Sequence, residues 1–153
     1  MEVQLSERFF VTGILTRTSN QPGKAEADIP ALWAKFWGEG IMEKIADRAN
    51  DAVYSVYTNY ESDHTGEYDI LIGCRLNHLP SRTDGLANVE ITAGTFRKYT
   101  AVGSLMDGVV FEKWQEIWES GDDRAFSADF EVYDERAMDT SNAEVDIFIA
   151  LKA

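Results

Sequence analysis

Apolar positions along the chain follow two alternating rhythms. "FFVTGILTRT" (9–18) reads as a strand, whereas "DIPALWAKFWGEGIMEKIAD" (28–47) repeats Leu32/Phe36 and Trp33/Trp37 at four-residue spacing and predicts a helix. Asp28 can cap that helix, Pro30 suits its first turn, and Gly38 and Gly40 interrupt it. "AVYSVYTNY" (52–60) and "EYDILIGCRL" (67–76) then read as strands joined by the turn "ESDHTG". The second half runs the same way. "TFRKYTAVG" (95–103) is a strand, "GVVFEKWQEIWESG" (108–121) an amphipathic helix, and "DFEVYDE" (129–135) and "AEVDIFIALK" (143–152) a pair of strands. "LPSRTDGLANVEITAG" (79–94) connects the halves, with a short strand at Val89 to Ile91.

The likeness of the halves extends to single residues. Glu67, Asp69, Ile70 and Ile72 recur as Glu144, Asp146, Ile147 and Ile149, and Trp33, Trp37 and Gly40 recur in the same order as Trp114, Trp118 and Gly121. Two ordered matches argue for duplication of a strand–helix–strand–strand unit. The predicted fold class is α+β: duplicated β-α-β-β units related by a pseudo-twofold axis, helices packed on antiparallel sheet, and a central ligand cleft along the axis. Residues 1–153 form one domain in this reading, with repeats at about 1–78 and 88–153.

Charge narrows the partners. Twenty-seven acidic residues against 14 Lys plus Arg give a formal net charge of -13, spread through the chain. That field repels phosphate backbones and anionic bilayers, so neither direct nucleic-acid binding nor membrane binding is expected. No run approaches the ~20 apolar residues of a membrane span, and the N-terminus lacks a signal-peptide pattern. Cys74 is the only cysteine, which rules out an intramolecular disulfide and disfavours a thiolate metal site. These features suggest a cytoplasmic protein. No phosphate-loop, metal-ligand or local catalytic-triad spacing is present, and neither a cofactor nor a metal is expected.

Within "DFEVYDE" a carboxylate interrupts an apolar, aromatic strand. Strand parity puts Glu131 on one face with Tyr133, and Phe130 and Val132 on the other. The duplication aligns Tyr57 with Tyr133, so Ser55 stands where the second half has Glu131. If that face lines the cleft, the carboxylate sits among aromatics, is costly when unpartnered, and suits a donor or a cation; on an outer face it would be an ordinary solvated residue. Aromatic surfaces beside a carboxylate form a site for organic cations. Trp33, Trp37, Tyr57, Tyr68, Tyr99, Trp114, Tyr133 and Phe148 could supply them, although the paired tryptophans also fit ordinary helix-to-sheet packing.

These residues carry a resemblance. "DIPALWAKFW", "VYSVYTNYESDHTGEYDILIGCRL", "ITAGTFRKYTAVG" and "FSADFEVYDERAMDTSNAEVDIFIALK" resemble the GyrI-like small-molecule-binding family, also called the AraC-type effector-binding domain. The resemblance implies a duplicated βαββ fold whose central cleft holds a glutamate, matching Glu131, that engages cationic or aromatic ligands. Stacking residues of the family match Tyr57 or Tyr68 and Phe148. The common "IYIP" ending reads "IFIA" here, which keeps a stacking surface at Phe148 without a hydroxyl. Many relatives carry a helix-turn-helix ahead of this domain; this sequence resembles a stand-alone module, so a transcriptional role would need a separate DNA-binding or regulatory partner. The expected activity is noncovalent binding of hydrophobic, cationic or aromatic small molecules. Two alternatives remain: hydrolysis of reactive small molecules with Glu131 as general base and a tyrosine (Tyr57, Tyr68 or Tyr99) assisting, and an inhibitory protein–protein interaction like that of the gyrase-inhibitory protein.

Overall fold

Eight antiparallel strands form one sheet in the order β1-β6-β8-β7-β3-β4-β2-β5. In chain order the elements are β1 (Glu2–Leu5), β2 (Phe9–Ser19), α1 (Lys24–Gly38), α2 (Ile41–Lys44), β3 (Val53–Thr58), β4 (Glu67–Arg75), β5 (Ala87–Ile91), β6 (Gly94–Gly103), α3 (Val109–Glu119), β7 (Ala128–Tyr133) and β8 (Ala143–Ala150). This computed structural model describes residues 1–63, 65–78 and 85–152. His64 of the expected turn and residues 79–84 of the connection lie outside the described residues.

The order is symmetric about its centre. Strands β2-β4-β3 mirror β6-β8-β7, and β3 meets β7 on the axis. Their ladder reads Val53↔Tyr133, Ser55↔Glu131 and Tyr57↔Asp129, so exchanging the halves maps the Ser55–Glu131 pair onto itself. The sequence reading lacks one feature: the strand that opens each half pairs with the other half, β1 on β6 and β5 on β2. Each outer edge of the sheet is therefore covered across the duplication.

The repeated carboxylates repeat their job. Asp69 and Glu67 both meet Arg17, at 3.1 and 3.5 Å, and Asp146 and Glu144 both meet Arg136, at 2.7 and 3.6 Å. The first set ties β2 to β4, and the second ties the residues that follow β7 to β8.

Alternation sorts the core onto two faces. Phe9, Val11, Tyr54, Val56, Leu71, Phe96 and Phe130 pack together on the face opposite α1 and α3. On the other, Leu32 and Phe36 of α1 pack on Ile14, Ile70 and Ile72, and Trp114 and Ile117 of α3 pack on Ile147 and Ile149. Burying a side chain such as Phe36 contributes roughly 1.5–3 kcal/mol.

Helix α1 departs from expectation at its start. It begins at Lys24 after Gly23 in a left-handed conformation (φ 81°), so Asp28 is an internal residue that pairs with Lys24 at 3.1 Å and does not cap. The stretch "KAEA" consists of good helix formers and adds a turn that apolar spacing alone does not reveal. Pro30 consequently sits inside the helix, where its missing N–H removes one backbone bond. Gly40, at φ 62°, ends the long segment before α2, as the paired glycines suggested.

Candidate functional site

Glu131 lies at the centre of the helix-bearing face. It is 2% exposed and accepts three hydrogen bonds: from Tyr133 Oη to Oε1 at 2.7 Å, and from Trp114 Nε1 and Tyr57 Oη to Oε2 at 2.5 and 2.9 Å. All three donors are neutral, and among the described residues no cation pairs with this carboxylate. Burial holds the Glu131 carboxyl above its ordinary value, and the bonds from Tyr133, Trp114 and Tyr57 pull it only part of the way back. Burial and the adjacent Glu131 charge push the Tyr57 and Tyr133 phenols well above theirs, so both remain protonated donors. Tyr68 is pushed up to about 12 for the same two reasons.

Position on the axis explains why one half has Glu and the other Ser. Directly opposed residues on antiparallel strands hold their Cβ atoms about 4.5–5.5 Å apart, where two carboxylates would repel. Fully buried Ser55 faces Glu131 there and leaves it the space.

Above the carboxylate a cavity of about 470 Å³ opens between α1 and α3. Trp33, Tyr57, Tyr60, Tyr68, Phe111, Trp114, Trp118 and Tyr133 supply its aromatic walls, and Ile29, Pro30, Leu105 and Val110 its aliphatic ones. That volume and mixture suit a small organic ligand. The rings meet mostly edge to face: Tyr57 with Trp114 at 5.0 Å between centroids, and Trp33 with Tyr133 at 4.9 Å.

A second charged group borders the cavity. Arg124 donates to Asp129 at 2.8 Å with both side chains buried, while Tyr60 donates to the same carboxylate and Ala150 N–H donates to its other oxygen. Arg124 also lies over Phe126, 4.3 Å from the ring centroid. The pair is internally neutral and ties β7 to the end of β8, which leaves Glu131 as the unbalanced buried charge, with exposed Glu26 at the cavity's border.

The structure thus brings Glu131, Tyr57, Tyr68, Tyr133, Trp33 and Trp114 together at one cavity. Three expected residues lie elsewhere. Phe148 is on the opposite face, stacked on Phe130 at 4.7 Å, because β8 pairs Phe148 with Phe130 and Ile147 with Glu131. Tyr99 packs beside α3 and donates its hydroxyl to Asp122, outside the cavity, which removes it as a helper in hydrolysis there. Trp37 is 57% exposed at the far end of α1 and borders a separate groove. Asp129 and Arg124 escaped the sequence reading; Asp129 carried a usable signal, since it is two residues from Glu131 and so shares its face.

The sequence profile of integron-associated effector binding proteins, Cass2, spans residues 3–151. The chain belongs to the Cass2 family. This is a GyrI-like family, in agreement with the resemblance read from the sequence. The integron cassette protein VCH_CASS2 from the mobile metagenome of Vibrio cholerae is 31% identical, with a TM-score of 0.75 over 99% of this chain and 95% of that one. YobU of Bacillus subtilis (strain 168), which bears a provisional name as a transcriptional regulator, is 29% identical over 144 residues, 92% of this chain and 90% of YobU. SAV2435, whose structure is bound to tetraphenylphosphonium, shares the fold at a TM-score of 0.80 over 100% of this chain and 93% of its own, with 16% identity. Among the described residues, no helix of this Cass2 relative is long and apolar enough to cross a membrane.

Proposed function

We propose that this protein binds hydrophobic organic cations, noncovalently, in the aromatic cavity over Glu131. The observation that carries the reading is a carboxylate held 98% out of water by neutral donors alone, at the floor of an apolar cavity. Such a group costs free energy in the unliganded protein, and an organic cation offsets that cost while its apolar surface leaves water. The rings add cation–π attraction. They discriminate little among flat or propeller-shaped ligands, so specificity should be broad. The effector-binding family and the tetraphenylphosphonium complex of a fold neighbour support this ligand class.

Calorimetric titration with methyltriphenylphosphonium, a cation, and triphenylphosphine oxide, a neutral compound of similar shape, tests the reading. Glu131→Gln should weaken the cation by about 10- to 100-fold, the ~1–3 kcal/mol of a charge-assisted contact, and change the neutral compound much less. Equal cation affinity in both proteins would remove Glu131 from the site.

A further inference from the structure

A duplicated fold duplicates its hollows. The cavity over Glu131 carries Trp114 and Trp118 of α3 with Tyr57 of the opposite half. The second groove, about 1050 Å³, carries their counterparts, Trp33 and Trp37 of α1 with Tyr133. The matching ring pairs have nearly the same geometry: Tyr57–Trp114 at 5.0 Å and 62°, Tyr133–Trp33 at 4.9 Å and 75°. The two hollows share Ile29, Pro30, Trp33, Leu105, Val110 and Tyr133, so one wall of side chains separates them.

They differ in charge. The first ends on Glu131; the counterpart of that residue, Ser55, lies opposite it on the axis and does not line the second groove, and Trp33 has no hydrogen-bond partner among the described residues where Trp114 binds the carboxylate. Asp51 and Glu135 border the second groove, both exposed and neither in an ion pair among the described residues, as exposed Glu26 borders the first. Trp37, largely exposed, lines the same groove.

We infer that the second groove is a binding lobe for a second aromatic cation, and that the two lobes together accept one bis-cationic ligand with an aromatic group at each end. The inference rests on the cation reading of the first lobe. The second lobe is the weaker, because its carboxylates stand in water and salt screens them. Joining two cations by a flexible chain makes the second contact intramolecular, so even a weak lobe raises the affinity of the joined ligand.

The test compares methyltriphenylphosphonium with decane-1,10-bis(triphenylphosphonium) on the parent, Trp37→Ala, Asp51→Asn/Glu135→Gln and Glu131→Gln, by calorimetry at two salt concentrations. All three changes in the second lobe are at exposed positions, so folding should be retained, and circular dichroism checks it. The bis-cation should bind the parent one to one and at least about tenfold tighter than the monocation. Trp37→Ala and the double variant should each remove most of that gain and leave the monocation within about twofold. A bis-cation no tighter than the monocation, or a gain untouched in both variants, overturns the second lobe while the first stands. A monocation insensitive to Glu131→Gln, with a bis-cation gain that still depends on Trp37, overturns the reading of the first lobe instead.

Discussion

At the residue scale, burial links the protonation of Glu131 to the stability of the fold. Its folded carboxyl lies above the ordinary value because of burial, so between about pH 4.3, the unfolded value, and the raised folded value the native state binds the extra proton. The contribution of Glu131 to stability therefore falls as pH rises through that window and is lowest above it. Asp129 is raised by burial as well and adds a change of the same sign. Glu131→Gln should thus remove part of the slope: the unfolding free energy of the variant, from urea titration, should gain on the parent as pH rises, then hold a constant lead of up to about 1–3 kcal/mol. Parallel curves would mean that Glu131 does not titrate in this window. The amide suits the site, since its oxygen can accept from Trp114 and Tyr57 while its nitrogen donates to the Tyr133 oxygen. Ligand affinity follows the opposite course. A cation prefers the ionised carboxylate, so its binding should weaken as pH falls through the folded value and release protons there, which calorimetry in buffers of different ionisation enthalpy measures.

At the element scale, the sheet has little tolerance where β2 crosses β4. Gly13 and Gly73 are paired directly, and an added Cβ would lie 2.0 Å from the Ile72 carbonyl oxygen at Gly13 and 2.0 Å from that of Thr12 at Gly73. Backbone oxygens in a ladder cannot retreat as a flexible side chain can, so Gly73→Ala should cost at least ~2–3 kcal/mol in urea unfolding. A change below about 1 kcal/mol would show that the strands can separate there. What was legible in the sequence divides along similar lines. Parity within a strand is local, and it put Glu131 with Tyr133 before any pairing was known. Pairing between strands is not local, and the resemblance that implies a stacking role for Phe148 does not carry it: the register against Phe130 puts Phe148 on the opposite face. Strand β1, four residues of "EVQL", has too short a pattern to stand out and exists through its long-range ladder to β6. The early start of α1 was hidden because lysine, alanine and glutamate favour a helix without any apolar period.

At the scale of the whole molecule, duplication was readable from the matched tryptophans and the repeated "EYDILIG"/"EVDIFIA" segments, and with it a cleft on the axis. The exchange of β1 and β5 between halves was not, since neither lies in a matched segment. Net charge acts at this scale too, and its effect separates from that of Glu131. A field from -13 charges reaches through solvent and raises the local concentration of cations, so it acts on the association rate and is screened beyond about 10 Å at 0.1 M salt. In the proposed site the Glu131 contact would form only after the ligand has left water, inside a cavity where salt screens less, so it should act on the dissociation rate. Stopped-flow measurement with methyltriphenylphosphonium, following tryptophan fluorescence, should show association slowing several-fold as salt rises and dissociation hardly changing. Glu131→Gln removes one charge of many, so it should keep nearly the same salt dependence of association and speed dissociation by about 10- to 100-fold. The reverse pattern, with Glu131→Gln slowing association and salt speeding dissociation, would place charge recognition at the surface and leave the buried carboxylate a bystander.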